Sequence, residues 1–252
     1  MKVDFINSER VKVGDEELIY FMHPNTLRDK LIETVEKVGA QKFFSSPEED
    51  VKKARENVAE YFFVLGLKKD SGQDWFLMQP KTDPPDFVLM TVAANPITIT
   101  LDHFELVEIP GRCKSFEEML EIVRGKLNKG YAEKYHLLIF VNHEKSKEWI
   151  NELHQQIQDF APFKTVWTVH LVWYKGKSSL YGSVVNRLRP YPTRSVEVAL
   201  TDEALRQGSA LPDHMEELKI DGKTFINFKP DFVKKLTMAM RKSLLARSQA
   251  RR

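Results

Sequence analysis

A single cysteine, Cys113, stands among 252 residues, so no disulfide framework can form within the chain and a structural zinc site would lack its usual thiolates. Long apolar runs are also missing. Stretches such as Tyr61 to Leu67 and Leu137 to Val141 fall far below the roughly 20 residues that span a bilayer, and no membrane association is expected. The opening MKVDFINSER places acids where a signal peptide needs an apolar core, so a reducing cytoplasm is the expected location. The chain contains no Walker loop, paired CxxC, HExxH or GxSxG, which removes the most easily read enzyme classes. It shows no internal repeat. Net charge is small as well, only +2.

What is present is a globular composition. Hydrophobic residues make up 42% and charged residues 29%, with 16 Phe and 4 Trp, and this excludes a disordered or low-complexity chain. The small net charge conceals a separation. Phe160 to Val196 and Val233 to Arg252 contain no acid and together carry +13, leaving −11 on the remainder. In the first segment Lys175, Lys177, Arg187, Arg189 and Arg194 lie among Trp167, Trp173, Tyr174, Tyr181 and Tyr191. Cations set among aromatic rings suit a phosphate backbone with exposed bases. Lys234 and Lys235 open the basic tail. These seven bases are the expected nucleic-acid contacts.

Hydrophobic periodicity orders the elements. The stretch 2–21, turning at Gly14 and Asp15, reads as a hairpin, and Thr26 to Val38 as a helix stopped by Gly39. Ser46 and Glu49 are spaced as a capping box for a helix whose stripe Val51, Ala54, Val58, Phe62 and Leu65 ends at Gly66. Three strands follow, Trp75 to Gln79, Phe87 to Val92 and Ile97 to Glu108, separated by proline-rich turns. A second capping box, Ser115 with Glu118, opens a helix whose periodic positions run to Leu127. A buried strand His136 to Val141, a helix Ser146 to Gln158 and a strand Thr165 to Tyr174 complete the central part. A short helix is expected at Thr201 to Gln207 and a longer one at Asp231 to Leu245. A meander followed by crossover units means an α/β fold, with a mixed sheet of about five strands flanked by helices. The organisation expected is an N-terminal addition over 1–45, a core over 46–175 and a basic extension over 176–252 packed on the core.

Acids gather at strand ends. Asp86 stands in Pro84-Pro85-Asp86-Phe87, Glu105 and Glu108 in His103-Phe104-Glu105-Leu106-Val107-Glu108, and Glu60 on the preceding helix. Alternation sets Ile97, Ile99, Leu101, His103, Glu105 and Val107 on one face of their strand, and Asp102, Phe104, Leu106 and Glu108 on the other. Glu105 is favoured as the functional acid, because a carboxylate in line with Ile and Leu needs a partner.

With these residues in this order, the stretch from Pro47 to Tyr174 resembles the PD-(D/E)XK nuclease superfamily, the restriction-endonuclease-like fold. The resemblance implies phosphodiester hydrolysis, in DNA before RNA, with Mg²⁺ or Mn²⁺ held by Asp86 and Glu105 and with Glu60 or Glu108 as further ligands. Val107 or Pro110 stands where the family's lysine belongs, so the cation would come from Lys126 or Lys129 on the next helix. The departure keeps a second reading open, a catalytically degenerate member that binds nucleic acid or a protein partner, or pairs with its own copy, without cleavage.

Overall fold

The computed structural model describes residues 3–7, 10–13, 16–22, 24–80, 84–94, 97–127, 130, 132–143, 145–156, 160, 162–173, 180–190, 192–199, 213–220, 223–235 and 238. Three strands come first, β1 (Val3–Asn7), β2 (Arg10–Val13) and β3 (Glu16–Met22). The expected hairpin is β2 with β3, Val13 opposite Glu16, and β1 adds a third antiparallel member.

Helix α1 (Pro24–Val38) ends at Gly39, whose φ of 80° only glycine adopts without strain. A short helix not foreseen, α2 (Ala40–Ser45), follows. It changes the role of Ser46, which closes α2 by donating its N–H to the Lys42 carbonyl. The capping box expected at Ser46 is therefore absent. Helix α3 (Glu49–Ser71) starts from Glu48 without a side-chain cap, and the Ser46 hydroxyl accepts the Glu48 N–H, at 3.2 Å, rather than that of Glu49. Nor does α3 stop at Gly66. It continues to Gly72, left-handed at φ 69°. Gly66 is needed for a different reason: a Cβ there would meet Val185 Cγ2 at 2.6 Å.

The remaining elements are β4 (Trp75–Pro80), β5 (Phe87–Ala94), β6 (Ile97–Ile109), α4 (Phe116–Leu127), β7 (His136–Val141), α5 (Ser146–Gln155), β8 (Val166–Trp173), β9 (Leu180–Arg189), β10 (Arg194–Ala199), β11 (Met215–Ile220) and β12 (Lys223–Phe228). From β4 to β8 the expected elements fall within a few residues of their observed bounds. The capping box at α4 is real: the Ser115 hydroxyl accepts the Glu118 N–H at 3.2 Å, and the Glu118 carboxylate accepts the Lys114 N–H at 2.8 Å. The end expected for α5 reaches residues outside the described set, as does the helix expected at Thr201 to Gln207. Of the last expected helix, residues 231–235 and 238 are helical and the remainder lies outside the described residues.

The ten strands β1–β10 form one sheet in chain order. Strands β6, β7 and β8 are parallel, and the other neighbours are antiparallel. Seven strands, β4–β10, make up its mixed part, where about five were expected. Strands β9 and β10 were missed because their pattern is polar: Arg194, Ser195 and Glu197 are exposed while Val198 turns inward. Both fall in the segment expected to pack on the core as an extension, and both continue the sheet instead. The hairpin β11–β12 was not foreseen.

Helices cover both faces of this sheet. Phe104 and Leu106 of β6, with Leu138 and Phe140 of β7, pack with Phe43 of α2 and Val58, Phe62 and Phe63 of α3. Val107, Ile109, Leu137, Ile139 and Val141 alternate to the other side and meet Phe116, Met119 and Val123 of α4 and Trp149 and Leu153 of α5. No helix among the described residues is long and apolar enough to cross a membrane.

Candidate active site

Strand β6 fixes Asp86 through its backbone. The Asp86 N–H donates to the Phe104 carbonyl at 3.0 Å, and the Asp86 carboxylate accepts the Leu106 N–H at 2.6 Å. Glu105 lies between those two partners in sequence, and its side chain, fully buried at 0% exposure, points to the α4 face. On the reverse face Phe87 stacks on Phe104 at 4.9 Å, and Phe104 on His136 at 4.8 Å. This row of rings stiffens the three strands under the acids.

Lys126, in the last turn of α4, closes the site. Its ammonium lies 2.9 Å from Asp86 Oδ2 and 2.8 Å from Glu105 Oε2, with the lysine side chain 15% exposed and that of Asp86 27%. Burial alone would lower the Lys126 pKa, but the two carboxylates outweigh it and raise the value above 10.5. The group is therefore an ammonium at neutral pH, a donor and a source of positive charge.

One residue of the neighbourhood escaped the sequence reading. Lys53 on α3 pairs with Glu56 at 3.2 Å. Burial lowers its pKa, yet Glu60, Glu56 and Asp86 raise it overall, so its ammonium shares the field of this site. The signal was available, since 53, 56 and 60 follow one helical stripe.

Glu60 is fully buried on α3, and its charge acts on Lys53 together with that of Asp86. Glu108 faces the opposite side of the sheet, where Arg55 holds it with Nε at 2.7 Å and a second nitrogen at 3.2 Å. The Asn142 amide adds a bond to Glu108 at 3.4 Å. Arg55 also donates to the carbonyls of Phe43 and Ser46, so Glu108 joins α2, α3 and β6 and is not brought to Asp86. Lys129 lies outside the described residues.

Among the bases, Arg189 donates to the carbonyls of Phe160 and Phe163, at 3.3 and 3.0 Å, and Arg194 pairs with Asp70 at 3.2 Å. Arg187 donates to the Pro192 carbonyl and lies 5.9 Å from the centre of the Trp167 ring. Trp167 in turn packs edge-on against Phe63 at 5.3 Å, within the core. Lys234, 3.7 Å from Asp231, and Lys235 are exposed. Lys175 and Lys177 lie outside the described residues.

Asp86 and Glu105 are the pair that could hold a divalent cation. Among the described residues no group of three His, Cys, Asp or Glu converges. Mg²⁺ accepts such a donor set, since it keeps several waters and usually takes one or two carboxylates together with phosphate oxygens. The acids therefore fit a Mg²⁺ shared with a phosphate, and do not make an all-protein cage. No family model, curated protein or solved structure matches the chain.

Proposed function

We propose that the protein is a metal-dependent nuclease of the PD-(D/E)XK type that hydrolyses phosphodiester bonds, in DNA rather than RNA. The observation that carries this reading is the Lys126 ammonium shared by Asp86 and Glu105. Two acids from adjacent strands with one lysine form the charge set of that superfamily, here with the lysine on the following helix. The order α3, β4, β5, β6, α4, β7, with β7 parallel to β6, supports the restriction-endonuclease-like core.

Mg²⁺ or Mn²⁺ held by Asp86 and Glu105 would neutralise charge on the scissile phosphate and make a bound water more acidic. The chain's own groups supply the rest. Asp86 is oriented by the Leu106 N–H, which fixes one oxygen of its carboxylate. Lys126 carries a proton and is placed to donate hydrogen bonds to an attacking water or a phosphate oxygen. Buried Glu105 keeps that ammonium charged and directed.

A protein that binds nucleic acid or a partner without cutting is the second reading. It is motivated by Val107 and Pro110, one of which stands where that superfamily carries its motif lysine. Purified protein incubated with plasmid, linear and single-stranded DNA and with RNA, plus Mg²⁺ or Mn²⁺, separates the two. Cleavage lost in Asp86→Ala and Lys126→Ala, both shown to be folded, supports the nuclease. Folded wild-type protein that cuts nothing under any metal refutes it.

A further inference from the structure

The Lys126 ammonium occupies the place that a metal ion shared by Asp86 and Glu105 would need. It is a single positive centre touching one oxygen of each acid, 2.9 Å from Asp86 Oδ2 and 2.8 Å from Glu105 Oε2. A carboxylate oxygen offers two lone-pair directions. At Asp86 Oδ2 both are taken, one by this ammonium and the other by the Leu106 N–H at 2.6 Å. The Leu106 donor belongs to the backbone of β6, which is fixed by its ladders to β5 and β7. Of the two donors, only the lysine can leave.

Burial and charge lead to the same conclusion. Glu105 is fully buried, and a carboxylate so placed needs a positive partner at all times. Lys126 supplies that charge here. A divalent cation on the same two acids would meet the ammonium at close range, where like charges in a partly buried setting repel strongly. The two cations therefore compete. Lys126 is suited to exchange, because it stands in the last turn of α4 on a flexible, unbranched stem. Asp86 remains partly exposed, so the ammonium can swing toward solvent on that side.

We propose that Lys126 is a built-in counter-ion that keeps the site closed, and that it must give up at least one carboxylate before a divalent cation binds; this rests on the reading of Asp86 and Glu105 as a cation site. While Lys126 stays in place, the acids are neutralised within the chain itself. Once displaced, its ammonium is free to engage a phosphate oxygen.

The test is calorimetric titration of the full chain with Mn²⁺ and with Mg²⁺, in wild type, Lys126→Met, Lys126→Arg and Asp86→Ala, each checked for folding by circular dichroism. Lys126→Met should bind Mn²⁺ at least about tenfold more tightly than wild type. Lys126→Arg, which keeps the charge, should bind no more tightly than wild type, and Asp86→Ala should lose binding. If Lys126→Met does not fold, lysine-detected NMR of the wild type decides: saturating Mg²⁺ should shift the Lys126 ammonium signal, which is identified by its absence in Lys126→Arg. Equal affinity in wild type and Lys126→Met, or a Lys126 signal left in place by saturating Mg²⁺, would overturn the proposal and spare the cation site. No binding in any folded protein, or binding that Asp86→Ala leaves unchanged, would overturn both. Binding in Lys126→Met alone would uphold the closed site and count against the nuclease.

Discussion

Replacing Lys126 by methionine keeps most of the side-chain volume and removes only the ammonium that Asp86 and Glu105 share. Two carboxylates would then face each other beside α4, one of them at 0% exposure. At a separation near 5 Å and an effective dielectric near 20, their repulsion is about 3 kcal/mol, and removing one member of a buried pair typically costs about 3–5 kcal/mol. Because Asp86 retains 27% exposure, the lower figure is expected, about 3 kcal/mol. Urea unfolding at pH 7 measures it. Two signatures separate this cause from simple loss of packing. The deficit should shrink as pH falls and a carboxylate takes up a proton, and Mn²⁺ should raise the melting temperature more in Lys126→Met than in wild type, because it replaces the missing charge. For wild type the sign is opposite: the Lys126 pKa is raised in the folded chain, so the stabilisation is complete below 10.5 and is lost as pH climbs through the raised value. A Lys126→Met protein within about 0.5 kcal/mol of wild type at pH 7, or one whose deficit ignores pH, would refute the reasoning.

Other outcomes follow from single contacts. Glu108→Gln should destabilise by about 3 kcal/mol, since it weakens a buried bidentate pair with Arg55, while any cleavage measured under the proposed function stays unchanged per folded molecule; lost cleavage in a folded variant would return Glu108 to the site. Gly66→Ala pushes a methyl into Val185 and should cost about 1–3 kcal/mol in denaturant unfolding; a neutral result would mean that α3 and β9 are not in close contact. Burial and then the nearby Lys147 charge lower the folded pKa of His170 to about 4 from 6.5, so the unfolded chain binds the extra proton as pH falls between those values. Stability should decline over that range by up to about 3 kcal/mol, and His170→Leu should flatten the slope. An unchanged slope would mean that His170 is not the residue resisting protonation.

The part of the fold that was legible in the sequence is the part whose residues are sorted by burial alone. Alternation along β6 separated Glu105 from Glu108, and the structure puts those residues on opposite faces, one with Lys126 and the other with Arg55. Helix α4 was legible from its capping box and apolar stripe, and with it the position of Lys126. Pairings with distant partners were not legible: Arg194 meets Asp70, and Arg189 meets the carbonyls of Phe160 and Phe163, contacts invisible until the strands are in place. Ser46 looked like a cap because its spacing to Glu49 was correct, but nothing in that spacing announced α2 before it.

The chain-order sheet also shapes how the protein can be assembled. Each of the ten strands pairs only with its neighbours in strand order, so the sheet can grow strand by strand as the chain leaves the ribosome, the longest wait being that of β3 for β4 across α1, α2 and α3. Asp86 and Glu105 sit at the fifth and sixth of the ten strands, as far from either exposed edge as this order allows. Fraying at β1 or β10 would then be absorbed several strands away from the acids.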